Sequence, residues 1–179
     1  MTLAQITGGV GGLLAAVGGW GIVAPAGFRQ ATIALPRHKI AAWILTLIAL
    51  AWAVHEMQAL SLGGLDVWKQ RAYYAIPVAF YFIVVYLDEL LAARALGGVL
   101  LILPTPWLDA ARWFDSDWTL VPRVTAYLMV VAGMYLVATP YRFRQWLLPC
   151  LDNGPRARGL AGVLLALGVA HLVLAVAVF

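Results

Sequence analysis

Long apolar runs, each broken by a short polar or basic stretch, set the pattern of this chain. A helix that crosses a bilayer needs about 20 mostly apolar residues. Five runs meet or approach that length: 3–27, 40–62, 73–87, 121–139 and 160–179. The first is uncharged, and the second carries His55, Glu56 and Gln58 near its end. The fourth is interrupted by Arg123 near its start, and the fifth has His171 as its single polar residue.

A further run, 95–103, is apolar but short, and Pro104-Thr105-Pro106 then stops regular helix. Taken alone it is either a re-entrant segment or a sixth span completed by extended chain through Pro106. The basic residues arbitrate, because cytoplasmic loops carry an excess of Lys and Arg. Six spans put Arg29, Arg37, Lys39, Arg94, Arg142, Arg144, Arg156 and Arg158 on one side. Lys69, Arg71, Arg112 and Arg123 fall on the other, eight against four. Without the crossing at 95–103 the split is even. The expectation is therefore an all-α polytopic membrane protein, a bundle of six transmembrane helices, with five plus a re-entrant segment as the alternative. Both termini are then outside, and the basic loops 29–39 and 142–158 face the cytoplasm of a bacterial cell.

After the prolines, Trp107, Ala111, Phe114 and Trp118 fall at i, i+4, i+7 and i+11, one face of a helix. Residues 107–118 are thus predicted as an interfacial helix on the outer surface, its Trp side chains in the aromatic belt. A substrate lid is the functional version of the same pattern.

Composition confirms the setting. Of 179 residues, 64% are hydrophobic and 11% charged, with a mean hydropathy of +0.89. A soluble domain is about 45–50% apolar and about 25% charged. A water-soluble globule and a disordered chain are both excluded. No polar stretch is long enough for a soluble module, so 1–179 reads as one transmembrane domain. The net charge of +4 is scattered over short loops and serves as an orientation signal. A nucleic-acid surface would need a dense basic face. The lone Cys150 excludes an internal disulfide and a Cys-based metal cluster. Ala24-Pro25-Ala26 resembles a leader cleavage site, but residues 1–7 carry no Lys or Arg, so the first run is expected to be retained as a helix.

Two stretches echo each other. Pro25-Ala26-Gly27-Phe28-Arg29-Gln30 returns 115 residues later as Pro140-Tyr141-Arg142-Phe143-Arg144-Gln145. Each ends an apolar run and precedes a basic loop and another apolar run. An internal repeat of helical hairpins 3–62 and 121–179 accounts for the match.

Small residues recur at helical spacing. Gly11, Ala15 and Gly19 form one stripe on the first helix, with Gly8, Gly12 and Ala16 beside it. Gly162, Ala166 and Ala170 repeat the device on the last. Small residues let helix backbones approach closely in lipid, where no hydrophobic drive assists. They serve either packing within the bundle or docking to a partner.

The candidate chemistry is sparse. His55 and His171 lie at comparable depth in the second and last spans and match to within one position under the repeat, with Ala51 and Gly168 near them. Neutral imidazoles beside small residues suit axial ligation of a haem or a chlorophyll-type tetrapyrrole. Glu56, Asp88 and Glu89 are the carboxylates that an ion or proton path would use, since intramembrane charge is costly. A polar turn explains Asp88 and Glu89 equally. Ser61 and Ser116 are the only serines, and neither sits in a nucleophile motif. No metal-binding His-Glu-x-x-His and no phosphate loop is present. The reading is a non-catalytic accessory or scaffold subunit of a larger membrane complex, its partners the lipid bilayer and other membrane subunits or itself. A small-solute or ion channel or transporter is the first alternative. A tetrapyrrole protein built on the two histidines is the second.

Overall fold

A computed structural model describes residues 2–61, 63–86, 90–151 and 153–179, which form helices and short turns with no strand among them. The helices are α1 (Leu3–Val23), α2 (Pro25–Ala34), α3 (Lys39–Ala59), α4 (Lys69–Tyr86), α5 (Leu91–Ile102), α6 (Pro104–Arg112), α7 (Leu120–Ala138), α8 (Pro140–Leu151) and α9 (Gly154–Ala177). Five segments are long and apolar enough to cross a membrane: α1, Lys39–Gln58, Leu91–Arg112, Asp117–Ala138 and α9. The apolar part of α4, Arg71–Tyr86, is shorter. Asp88 and Glu89 lie outside the described residues.

Local chemistry sets the helix ends. The Thr2 hydroxyl accepts from the Gln5 backbone N–H while the Gln5 side chain accepts from the Thr2 N–H, which closes the first turn of α1. The His38 ring, through Nδ1, accepts from the Ala41 N–H at the start of α3. α1 and α7 stop the same way. Each is capped by one residue, Ala24 (φ −129°, ψ 67°) or Thr139 (φ −134°, ψ 64°), and a proline then opens the next helix.

Two expectations are overturned. Pro104 does not end the helical run: Leu103 keeps helical dihedrals (φ −54°, ψ −37°), and α5 passes into α6. Pro104 and Pro106 both sit in the first turn of α6, where a missing N–H is tolerated. Leu91–Arg112 is therefore one stretch of spanning length, and there is no extended chain through Pro106. Nor is 107–118 an interfacial helix. α6 stops at Arg112, and Trp107 is 1% exposed, packed with Leu3, Ala111 and Ala126. Of the predicted face, Trp107 and Ala111 do share one side of α6, and α1 and α7 cover it. Trp113 and Trp118, beyond the helix, are exposed.

The most extensive helix pair is α1 with α9. α7 packs on α5, and α5 in turn on α3. α4 rests mainly on α3. Glycines permit the two closest approaches. A Cβ on Gly18 or Gly168 would strike the backbone of Leu165 or Ala15 across the α1–α9 seam. On the α5–α7 seam a Cβ on Gly97 would lie 2.9 Å from the Gly133 carbonyl oxygen, and one on Gly133 2.8 Å from that of Gly97.

Positions 115 residues apart share their burial. Buried Thr7, Gly11, Gly18 and Gly21 of α1 correspond to Pro122, Ala126, Gly133 and Leu136, all buried in α7. Pro36, Ala42 and Thr46 correspond to Leu151, Ala157 and Ala161, again all buried. α2 and α8, and likewise α3 and α9, begin at the same offset. Leu3 breaks the series, since Trp118 is exposed, and so does the second half of α9, where buried Gly168 and His171 correspond to exposed Ala53 and half-buried Glu56.

Candidate functional site

The end of α3, the start of α1 and the second half of α6 meet at one end of the bundle. Between them is a partly open cleft of about 670 Å³. Ile6, Pro106 and Ala110 form its apolar walls, and Trp52, His55, Glu56 and Asp109 its polar lining. Trp52 and Glu56 are one helical turn apart, and the indole N–H donates to Glu56 Oε1 at 2.8 Å. That bond uses one carboxylate oxygen and fixes the side chain against the helix. His55 and Asp109 are exposed. No basic side chain pairs with Glu56 or Asp109 among the described residues. Lys69, at the same end, is held by Asp66 at 2.7 Å and donates to the Leu60 carbonyl. Arg71 stands over the Trp68 ring, 4.7 Å from its centroid. Arg123 donates to the Ala111 carbonyl at 2.7 Å.

His171 occupies a different place. It is fully buried where α1, α6 and α9 meet, with the Trp107 ring 5.5 Å away between centroids. Its Nδ1 lies 2.7 Å from the Leu167 carbonyl oxygen. A carbonyl only accepts, so Nδ1 is the donor in this contact. Nε2 is buried with no hydrogen-bond partner. Trp107 in turn donates to the Thr7 hydroxyl at 2.9 Å, so one indole ties α6 to α1.

The two imidazoles are not brought together. His55 lines the cleft and His171 does not. His171 instead packs against Trp107 where α1, α6 and α9 meet.

The small-residue stripes divide as well. Gly11 faces α9, its Cβ position 2.9 Å from the Gly168 carbonyl oxygen, and Gly8 meets Ala175 at 3.5 Å. Gly12, Gly19 and Gly162 have open space where a Cβ would stand, and Ala166 and Ala170 are exposed. Ala15 is half-buried, its backbone against Gly168. Gly12 and Gly19 follow the seam residues Gly11 and Gly18 by one position; Gly162 and Ala166 follow Ala161 and Leu165 likewise. In an antiparallel pair, a step of about 100° in chain direction turns both sets toward the same side. The open small residues therefore share one side of the α1–α9 pair.

At the opposite end, α2 and α8 lie side by side and carry Arg29 and Arg142. The Tyr141 phenol, and after it Tyr135, raises the pKa of the exposed Arg142 above its ordinary value. Thr7 and Asp109 go unselected in the sequence, and Trp107 is selected there for a different role. Thr7 gives no motif, and Trp107 reads locally as an interface anchor. No protein-family model, curated protein or solved structure matches this chain.

Proposed function

We propose that this protein is a non-catalytic subunit that helps assemble a larger membrane complex, docking a helix of another membrane subunit on the open side of the α1–α9 pair. One observation carries the reading: Gly12, Ala16, Gly19, Gly162 and Ala166 present small residues outward on a single side. Elsewhere the exposed surface bears large side chains such as Leu47, Tyr81, Leu128 and Val131, and on α9 the strip of small residues ends at Val169, which follows the seam residue Gly168. Lipid tails give no reason to exclude large side chains from one strip, whereas close backbone approach by another helix does.

The topology belongs to the same reading. At about 1.5 Å per residue, the 18 residues of α4 reach about 27 Å, close to a hydrocarbon core. Three of its four tyrosines stand toward the two ends, Tyr73 and Tyr74 at one and Tyr86 at the other, as an aromatic belt favours, with Tyr81 between them. Counting α4 gives six crossings, with the eight-residue basic end in the cytoplasm and both termini outside. The coincident burial at 115-residue spacing supports duplication of a unit made of two long helices and the short Pro-initiated helix between them.

The test is cross-linking in native membranes. With Cys150 replaced by Ser, a cysteine at Gly12 or Gly162 should give a cross-linked species of defined mass, and one at Val85 of α4 should not. Gly162→Leu should abolish the complex while the subunit still accumulates. Equal labelling at Val85, or a complex indifferent to Gly162→Leu, would sink the reading.

A further inference from the structure

We propose that the cleft between α1, α3 and α6 is a binding site for an organic ammonium group carried on an apolar chain. It is independent of the docking face, which lies on the α1–α9 pair.

Charge comes first. Glu56 and Asp109 face one space from two different elements, α3 and α6. Among the described residues neither has a basic partner: Lys69, Arg71 and Arg123 at the same end are each committed elsewhere, and the exposed Arg112, one turn after Asp109, forms no ion pair with it. Trp52 donates only one N–H to Glu56, so the second carboxylate oxygen of Glu56 and both of Asp109 stay open to a donor. The space therefore favours a cation.

The kind of cation follows from the rest of the lining. A hard metal ion wants several oxygen ligands at short range. No group of three or more His, Cys, Asp or Glu close enough to hold a metal occurs among the described residues. The volume of about 670 Å³ is far more than an ion fills and lies in the range of sites for small organic ligands. Ile6, Pro106 and Ala110 offer apolar walls against which methylenes lose their water. The Trp52 indole adds a surface that attracts ammonium groups. His55 adds a further polar atom at the rim, suited to a hydroxyl or ester on the same molecule.

Depth agrees. Ile6 is one turn inside the start of α1, Trp52 to Glu56 fall in the last turns of α3, and Pro106 to Ala110 lie near the end of the Leu91–Arg112 stretch. That is the level where a polar head and its chain part company in a membrane. The ammonium could come from a lipid headgroup or from a free amine. The same carboxylates would hold either.

The experiment is calorimetric titration of the full-length protein in dodecyl maltoside, with empty micelles subtracted. Dodecylammonium, which carries three N–H donors, is the probe and dodecylglycerol its neutral counterpart. The wild type should bind the cation about ten- to hundredfold more tightly than the neutral probe, the range expected for charge-assisted contacts. Glu56→Gln with Asp109→Asn should erase that preference. Asp109→Asn alone, on an exposed side chain, should weaken it with unchanged helicity and melting temperature. It supplies the reading if the double variant fails to fold. Competition by lysophosphatidylethanolamine but not by ethanolamine would assign the site to a lipid headgroup; competition by ethanolamine would assign it to a free amine. Equal binding of both probes to the wild type overturns the proposal. So does a cation preference that survives both substitutions.

Discussion

Gly18 and Gly133 stand 115 residues apart and hold the same station in α1 and α7, yet they meet different neighbours. Gly18 closes on α9, against Ala161 and Leu165. Were the two halves packed symmetrically, Gly133 would close on α3. It closes on Gly97 of α5, which lies between α7 and α3. One smooth glycine face has thus served two unlike partners. The difference teaches that such a face specifies close approach and not the identity of the helix that approaches. Backbone touching backbone is insensitive to side chains that are not there.

The comparison can be broken at either seam. Gly168→Leu should have the largest effect, because its Cβ would strike the Ala15 backbone and neither helix can yield without opening the pair. A loss of about 3 kcal/mol is expected, seen as a lower melting temperature in detergent. Gly133→Leu should cost somewhat less, about 2 kcal/mol, since its Cβ would meet a carbonyl oxygen and the flexible Leu101 side chain. If it costs more than Gly168→Leu, α5–α7 is the principal seam.

Smaller changes sharpen the contrast. Trp107→Phe keeps the ring but removes the donor to the Thr7 hydroxyl, and should cost about 1 kcal/mol by the same melting assay. Thr7 corresponds to Pro122 in the other half, which has no hydroxyl, so this tie belongs to the α1 side alone. Gly162→Leu is predicted to change stability least, within about 0.5 kcal/mol, because open space stands where its Cβ would go. A marked fall in its melting temperature would mean that the outward side of α9 is covered within the fold.

Much of this architecture was legible in the sequence. Apolar length alone located α1, α3, α7 and α9, because lipid demands unbroken hydrogen-bonded helix. The Pro-x-x-Phe-Arg-Gln echo pointed to an offset at which part of the burial pattern coincides, in α1 with α7 and in the first half of α3 with that of α9. Reading failed where the rule was local. Prolines at 104 and 106 look like a stop, but a first-turn position makes them harmless when the preceding backbone stays helical. Trp107 looks like an interface anchor because nothing nearby in sequence reveals that Thr7, 100 residues earlier, awaits its N–H. The stripes were visible but not their sides. In water a polar face marks the outside, whereas a helix in lipid carries no such contrast. The pairing of Asp109 with Glu56 across one space is a tertiary fact and left no trace in spacing.

The α1–α9 pair also has a consequence in time. Ribosomes add about 5–20 residues per second, so the stretch 24–153 separating the two helices takes on the order of ten seconds to make. Throughout that interval α1 sits in the bilayer with its glycine face uncovered. Anything that offers a smooth helix during those seconds competes with α9 for that seat. The fold therefore closes last where it packs closest, and a chain that stalled before Gly154 would display an adhesive surface to its neighbours.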